Sequence, residues 1–286
     1  MKRLLMVFID GLGLGDANAL SNPIRREGYP FLSKILYEDS FPIDPVMGVP
    51  GIPQSATGQT NLLCGVNSQS LLGAHKEGFP GKTLKKIIEN ENIFKKLKAM
   101  NKTGTFANGY WRTDLSELKK MISVTTAASL CGTGGVRLMQ KLIEGDAVYQ
   151  DLTQEILAAK GAALPVIRVE EAAERLTRIS EKHDFTLFEY FQTDIAGHRQ
   201  DGERIRKVLA DLDGFLSRLH RLFDFDRNAL IIVSDHGNIE DCSTPGHTCN
   251  PVPFYARGRG SGLFRERVKD LAGVTPAVLE WFGSPE

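Results

Sequence analysis

The sequence lacks an excess of charge of either sign. Its 286 residues include 35 lysines and arginines and 35 aspartates and glutamates, so the formal net charge is zero. A protein that follows a nucleic-acid backbone needs a surplus of basic side chains, and a charged disordered tail needs a block of like charges. We therefore expect no nucleic-acid partner and no such tail.

Long apolar runs and cysteine pairs are missing as well. No stretch of about 18 apolar residues occurs, so we expect no membrane partner. The apolar run Leu4–Ile9 is too short for the core of a secretory signal, because it ends at Asp10. Four cysteines without a C-x-x-C pair favour reduced thiols and a cytoplasmic location. They are Cys64, Cys131, Cys242 and Cys249.

Strand and helix patterns alternate along the chain. Strands are predicted at Leu4–Ile9, 102–108, 185–191 and Ala229–Val233, and helices at 82–100, 147–159, 170–182, 203–222 and 275–282. This alternation predicts an α/β fold in which a mainly parallel central sheet carries helices on both faces. Because no linker interrupts the chain, we expect a single domain over residues 1–286. The least regular segment, 110–168, is expected to form a small cap.

Three of the predicted strands are followed by an acidic residue. Asp10 follows the first strand, Asp194 comes shortly after 185–191, and Asp235 with His236 follows Ala229–Val233. Ligands bind beyond the carboxyl ends of strands in open parallel sheets. One such aspartate is equally well explained as a helix cap. Three of them, two with histidines nearby, indicate a binding site.

Histidines near these aspartates indicate that the site binds metal. His198 lies four residues after Asp194, so both side chains can face one ion from a single turn. His247 follows His236 by eleven residues. Oxygen and imidazole donors suit zinc or manganese. The remaining histidines lack such neighbours, and they are His75, His183 and His220.

A nucleophile is expected in the glycine-flanked segment 51–65, where hydroxyl residues precede a helix. Ser55 and Thr57 are the candidates, because helix N-termini attract anions and a metal-bound hydroxyl loses its proton readily. A Ser/His/Asp triad is a competing use of the same residues, but the segment lacks the G-x-S-x-G elbow. The dinucleotide fingerprint G-x-G-x-x-G also fails, because Asp16 occupies its last glycine position.

Five motifs near the two ends of the chain form a recognisable combination: FIDGLG, QSATGQTNLLCG, DIAGH, SDHGNIED and GHTCNPVPF. Together they resemble the alkaline phosphatase superfamily of metalloenzymes. The nearest branch contains cofactor-independent phosphoglycerate mutase and phosphopentomutase. The resemblance covers 1–108 and 165–286, and it implies an alkaline-phosphatase-like fold with two divalent metal ions, zinc or manganese.

The resemblance also implies two sets of metal ligands. One ion would be held by Asp194, His198 and His247. The second ion would be held by Asp10, Asp235, His236 and the hydroxyl of Ser55.

Roles in catalysis and substrate binding follow from the same resemblance. Ser55 occupies the position of the nucleophile, and Thr57 is the fallback for that role. Asn61 falls where the mutases keep an asparagine near the transferred phosphoryl group, so Asn61 and Thr57 are expected to contact the substrate.

Two departures from the mutases bear on the activity. Gln59 stands where they usually have histidine, and only about 130 residues separate Asn61 from Asp194, too few for their large inserted domain. With a minimal cap, water can reach a phosphoserine, so we expect a phosphatase that acts on a small phosphorylated substrate. The alternatives are a phosphomutase, a sulfatase, phosphodiesterase or phosphonate hydrolase, and a non-catalytic metal-binding relative. Basic residues of the cap are either a second anion site or ordinary surface, namely Arg112, Arg137 and Lys141.

Overall fold

A single sheet forms the centre of the fold. The computed structural model describes residues 2–16, 20–118 and 122–284. The strands are β1 (Leu4–Ile9), β2 (Phe41–Ile43), β3 (Gly104–Phe106), β4 (Phe185–Tyr190), β5 (Ala229–Val233) and β6 (Val252–Gly258). Their order across the sheet is β2-β6-β5-β1-β4-β3.

Helices precede and follow most of the strands. The α-helices are α1 (Pro23–Glu27), α2 (Pro30–Lys34), α3 (Ser55–Cys64), α4 (Ser68–Leu72), α5 (Lys82–Glu91), α6 (Ile93–Ala99), α7 (Val124–Thr133), α8 (Met139–Ile143), α9 (Glu155–Ala159), α10 (Val169–Ser180), α11 (Gln192–Arg199), α12 (Gly202–Leu222), α13 (Gly262–Arg267) and α14 (Val274–Gly283). Short helical turns of other types occupy Ile35–Asp39, Leu115–Glu117 and Leu271–Gly273.

The sheet is parallel except at one side. β1 pairs in parallel with both β4 and β5, and β3 pairs in parallel with β4. β6 runs antiparallel to β5 and to β2. The predicted α/β class with a mainly parallel sheet is confirmed, and β1 lies in its middle, where both neighbours point the same way.

Helices cover both faces of the sheet, which the packing of β1 shows directly. Leu5, Val7 and Ile9 join one hydrophobic cluster, together with residues of α1, α2, α10 and α12. The alternate residues join a second cluster with α3, α5, α6, α7, α13 and α14, and they are Leu4, Met6 and Phe8. Because successive side chains of a strand point to opposite faces, a strand buried on both sides reads as a continuous apolar run.

Two helices predicted from the sequence are shorter in the structure. The segment 82–100 is divided into α5 and α6 at Asn92, whose side chain accepts a hydrogen bond from the Lys95 amide and caps α6. In 147–159 only α9 is helical. The Asp151 carboxylate accepts bonds from the Gln154 and Ile156 amides, and Gln154 has a positive φ of 64°, so a turn replaces the first half.

The segment 110–168 packs in two different ways. α7 contributes Val124 and Ala128 to the second core cluster. A small separate cluster lies further along the segment, formed by Leu142, Ala147, Tyr149 and Leu157.

Two further observations concern the whole described chain. Among the described residues, no helix combines the length and apolar character that crossing a membrane requires. The four cysteines, all of them within the described ranges, form no disulfide bond, and Cys64 is buried.

Candidate metal centre

Three adjacent strands bring the predicted ligands to one edge of the sheet. Asp10 directly follows β1, Asp235 and His236 follow β5, and Asp194 lies in the first turn of α11 after β4. Because β1 pairs in parallel with β4 and β5, the carboxyl ends of all three strands meet at this edge. Gly11 allows the close approach, since its φ is +70° and a Cβ there would lie 2.8 Å from Asp194 Oδ1.

The first group of ligands, which we call the inner cluster, consists of Asp10, Ser55, Asp235 and His236. His236 Nε2 lies 2.9 Å from Ser55 Oγ, 3.2 Å from Asp10 Oδ1 and 3.5 Å from Asp235 Oδ2. The side chains of Asp235 and His236 have no exposed surface. The inner cluster is therefore a buried meeting point of two carboxylates, an imidazole and a serine hydroxyl.

The second group, the outer cluster, consists of Asp194, His198 and His247. Asp194 Oδ1 lies 3.4 Å from His198 Nε2 and 3.3 Å from His247 Nε2. The His198 side chain is 45% exposed, whereas that of His247 is only 6% exposed. The His247 ring also stacks on His236, with centroids 3.7 Å apart, so the two clusters adjoin.

The histidines of the outer cluster are oriented for a cation. His198 Nδ1 donates to the Pro245 carbonyl at 2.8 Å, and His247 Nδ1 donates to the Pro53 carbonyl at 2.9 Å. A carbonyl only accepts hydrogen bonds, so in the neutral rings each Nε2 carries a lone pair. These two Nε2 atoms face each other at 3.0 Å. Such an approach of lone pairs is favourable when a cation lies between them, and the residues fit a metal ion.

Electrostatics of the inner cluster point to the same conclusion. Burial, with the nearby Asp235 carboxylate, raises the pKa of Asp10 to about 7. Burial also raises the pKa of Asp235 to about 6. Within the described ranges, Asp10 Oδ1 and Asp235 Oδ2 are buried and accept no hydrogen bond. Buried carboxylates without donors require compensating positive charge.

His236 supplies that positive charge when no metal is bound. Burial alone would lower its pKa, but the carboxylates of Asp235 and Asp10 raise it to about 10. The outer carboxylate behaves differently. Burial favours the neutral form of Asp194, yet the adjacent His247 ring and the charge of His236 hold its pKa at about 2.

Two buried polar residues that the sequence reasoning did not select position these ligands. Asn238 Nδ2 donates to Asp194 Oδ1 at 2.7 Å. Glu240 accepts bonds from the amides of Gly13 and Asn238 at 2.8 and 2.7 Å, and from Thr248 Oγ1 at 2.6 Å. It thereby ties together the loops after β1 and β5. Both residues lie in SDHGNIED, directly after two ligands, and that position is the signal that would have identified them.

The first turns of α3 place some of the predicted residues at the site and others away from it. Ser55 faces the inner cluster, and Gln59, one turn later, donates from Nε2 to Asp10 Oδ2 at 3.1 Å. Thr57 is buried and its hydroxyl donates to the Gln54 carbonyl at 3.1 Å. The Asn61 amide is likewise buried and donates to Gln69 Oε1 at 2.5 Å. The structure does not bring Thr57 or Asn61 to the ligands.

A cavity of about 600 Å³ opens beside Ser55 and Asp10. Of the three basic residues predicted in the cap, only Arg112 lines it. Arg137 instead donates to the Asp146 carbonyl at 2.7 Å, and Lys141 pairs with Glu144 at 2.9 Å.

None of the other three histidines belongs to the described ligand clusters. His75 bonds to the Val49 carbonyl at 2.8 Å, and His220 lies 2.9 Å from an Arg257 nitrogen. His183 is half-buried, and burial lowers its pKa.

An α/β sheet with two adjoining carboxylate and imidazole clusters, beside a serine at a helix N-terminus, defines a metal-dependent enzyme. The chain belongs to the metalloenzyme superfamily, whose family model matches residues 2–286. The resemblance drawn from the motifs, to the alkaline phosphatase superfamily and its phosphoglycerate mutase-like branch, is confirmed.

Known proteins similar to this chain include a mutase, a phosphatase and a synthase. The 2,3-bisphosphoglycerate-independent phosphoglycerate mutase of Desulforudis audaxviator is 27% identical over 128 residues, which are 43% of this chain and 25% of that protein. The alkaline phosphatase from the Antarctic bacterium TAB5 has a TM-score of 0.58 at 14% identity, covering 99% of each chain. The lipoteichoic acid synthase LtaP from Listeria monocytogenes has a TM-score of 0.53 at 11% identity, covering 99% of this chain and 72% of that one. The two structures show a shared fold.

Proposed function

We propose that this protein is a two-metal phosphomonoester hydrolase that works through a phosphoserine at Ser55. The observation that carries the proposal is the position of the Ser55 hydroxyl. It lies at the first residue of α3, 2.9 Å from His236 Nε2, and Ser55 lines the cavity. The similarity to a phosphoglycerate mutase over part of the chain supports phosphoryl transfer.

Two divalent ions would be held by the two clusters. The donors for one ion are Asp10, Asp235, His236 and the Ser55 hydroxyl, and those for the other are Asp194, His198 and His247. Because all the donors are oxygen or imidazole nitrogen, zinc or manganese suits them. When bound, the ions supply positive charge that lowers the pKa of a hydroxyl and stabilises the charge of the transferred phosphoryl group.

The chain's own residues supply the nucleophile and orient it. Ser55 Oγ forms a bond to phosphorus as the bond to the leaving oxygen breaks, and the leaving group departs as an alcohol after taking up a proton. A water then forms a bond to phosphorus while the bond to Ser55 Oγ breaks, which releases inorganic phosphate. The N-terminus of α3 favours the negative charge of the phosphoryl group throughout.

Access of water favours hydrolysis over transfer to a second position of the substrate. His198, on the outer side of the site, is 45% exposed. The segment matched to the Desulforudis mutase is only 25% of that protein. Gln59 of this chain stands at the position where the mutases usually have a histidine. We therefore place mutase activity, and hydrolysis of sulfate esters, phosphodiesters or phosphonates, second to phosphomonoester hydrolysis. A small phosphorylated substrate in the cytoplasm is part of this proposal.

Substitution of the nucleophile tests the proposal. Ser55→Ala should lower phosphate release from phenyl phosphate by about 10⁴-fold or more, because no covalent intermediate can form. Thr57→Ala is the matched control: it removes a hydroxyl from the same helix and should change the rate little. Phosphate release that is undiminished in Ser55→Ala would overturn the assignment. Sulfate ester and phosphoglycerate substrates, assayed in parallel, separate the alternative activities.

A further inference from the structure

Aromatic side chains form part of the wall of the cavity beside Ser55, together with polar and charged side chains. The cavity of about 600 Å³ has Asp10 and Ser55 in its lining. Five aromatic residues line it, namely Phe79, Tyr110, Trp111, Tyr149 and Phe191. The rings offer apolar surface to a ligand, and the polar groups of the lining can fix its orientation. A group attached to the phosphoryl group can enter this space, because Ser55 itself lies in the lining.

Trp111 is held in place by apolar packing. It packs against the small cluster formed by Leu142, Ala147, Tyr149 and Leu157. Within the described ranges, none of the five cavity rings stacks on another aromatic ring. An indole fixed from one side, with no ring stacked on it, is preorganised to stack against a flat ligand.

Tyr110 is fixed by a polar contact on the same wall. Its hydroxyl lies 2.6 Å from Thr126 Oγ1, so its polar end is already paired. What Tyr110 adds to the cavity is therefore mainly the surface of its ring.

From this wall we infer the class of substrate: a phosphomonoester whose leaving group carries a flat aromatic ring, such as an aryl or nucleoside group, stacked against Trp111. The inference rests on the proposed function for its reaction, but the binding of the ring is independent of turnover. Trp111 is the specificity-determining residue in this account. The small separate cluster in 110–168 serves to hold it at the cavity.

Binding of two phosphonates tests the inference without requiring catalysis. Titration calorimetry of the metal-loaded protein should show phenylphosphonate binding at least about tenfold more tightly than methylphosphonate, because only the former carries a ring. Trp111→Leu keeps apolar volume but removes the flat indole. It should reduce phenylphosphonate affinity by about tenfold and leave methylphosphonate affinity unchanged. Trp111→Phe should restore most of the loss.

Leu71→Ala is the matched control, because Leu71 is 64% exposed and lies outside the cavity lining. It should leave both affinities unchanged. Equal affinity for the two phosphonates, loss of both in Trp111→Leu, or binding of neither would overturn the inference.

Turnover distinguishes a failure of this inference from a failure of the proposed function. Phosphate release should have a higher kcat/KM with phenyl phosphate and a nucleoside 5′-monophosphate than with glycerol 2-phosphate. Preference for phenylphosphonate without any phosphate release would leave the ring site standing and overturn the hydrolase. Efficient turnover of glycerol 2-phosphate, with no preference for substrates that carry a ring, would overturn the ring site and leave the proposed hydrolase standing.

Discussion

The inner and outer clusters use similar side chains in different surroundings. In the inner cluster the side chains of Asp235 and His236 have no exposed surface, and burial raises the pKa of both aspartates. In the outer cluster His198 is 45% exposed, and the pKa of Asp194 is lowered to about 2. Within the part of the chain that the structure describes, the two inner carboxylates thus share His236 as their one cationic partner, while the outer carboxylate has two histidines beside it.

This difference implies that the two clusters hold their metal ions with different affinities. Because two buried carboxylates share the single positive charge of His236, the inner cluster should bind its ion tightly and depend on it for stability. The outer cluster is paired and solvated without metal, so its ion should exchange more readily. Ser55 belongs to the buried inner cluster, and we expect water to reach the site at the exposed outer cluster.

Removing an inner ligand should have the largest effect. Asp235→Asn should lower phosphate release by about 10³-fold and remove one ion per chain, because a buried charge that balances the ion is lost. Excess metal should not restore activity. Metal analysis of the purified variant checks this, with the exposed Asp224→Asn as control. Unchanged metal content in Asp235→Asn would show that the inner cluster holds no ion.

Removing the exposed outer ligand should have a smaller and reversible effect. His198→Ala should weaken binding of the more loosely held ion by about 100-fold, while the inner ion stays bound. Because this cluster is open to solvent, millimolar metal should restore much of the activity. A metal titration of the rate tests this, with His183→Gln as control. An effect in His198→Ala as large as that in Asp235→Asn, and equally resistant to metal, would remove the distinction between the clusters.

The pH dependence of stability should show the smallest effect. In the metal-free protein the native state retains protons on Asp10 and Asp235 above the ordinary carboxyl pKa, up to about pH 7 and pH 6. It also retains the proton on His236 up to about pH 10. A native state that holds more protons loses stability as pH rises. The lowered pKa of Asp194 acts in the opposite direction, but only below about pH 4.

Thermal unfolding of the metal-free protein should therefore show Tm falling by about 5 °C between pH 5.5 and pH 8.5. The metal-loaded protein should keep only the smaller part of this fall that comes from Glu189, because the ions replace the protons of the inner cluster. The buried Glu189, with its pKa raised to about 8 by burial, contributes with the same sign. The Asp235→Asn variant isolates the inner cluster, since it should reduce the slope in the metal-free state. A Tm that rises over this range would contradict the assigned electrostatics.

The meeting of the predicted ligands at one edge of the sheet follows largely from strand order. Continuous apolar runs indicate strands buried on both faces, and acids that follow such strands meet at one edge when the strands are parallel. Asp10 and Asp235 follow this rule simply. Asp194 lies in α11 and not directly after its strand, so strand order alone does not place it. Its spacing of four residues from His198 is what puts the two side chains on the same face of the helix.

The motif QSATGQTNLLCG does not by itself determine which residues of α3 face the inner cluster. Residues four apart share a face of a helix, so Ser55 and Gln59 both reach the inner cluster. Around the helix axis Thr57 lies about 160° and Asn61 about 120° from Ser55. Both residues bond within the fold instead. The period of an α-helix, applied to Ser55–Cys64, predicts that Ser55 and Gln59 share one face and that Thr57 and Asn61 lie off that face.

Three features of the structure could not be predicted from the sequence: the bonds of Glu240, the turn at Asp151 and the wall of the cavity. The bonds that Glu240 accepts join loops more than 200 residues apart, between Gly13 and the segment after β5. The turn at Asp151 replaces a predicted helix because its carboxylate competes for backbone amides. The aromatic cavity wall likewise combines residues from Phe79 to Phe191, which no local pattern relates.

Anomalous diffraction from crystals of the zinc- or manganese-loaded protein tests the central claim most directly. The account predicts two peaks per chain, about 4 Å apart. One peak should lie among Asp10, Asp235 and His236, and the other among Asp194, His198 and His247. A single peak shared by the two clusters, or strong peaks only elsewhere in the molecule, would contradict the assignment of a two-metal centre.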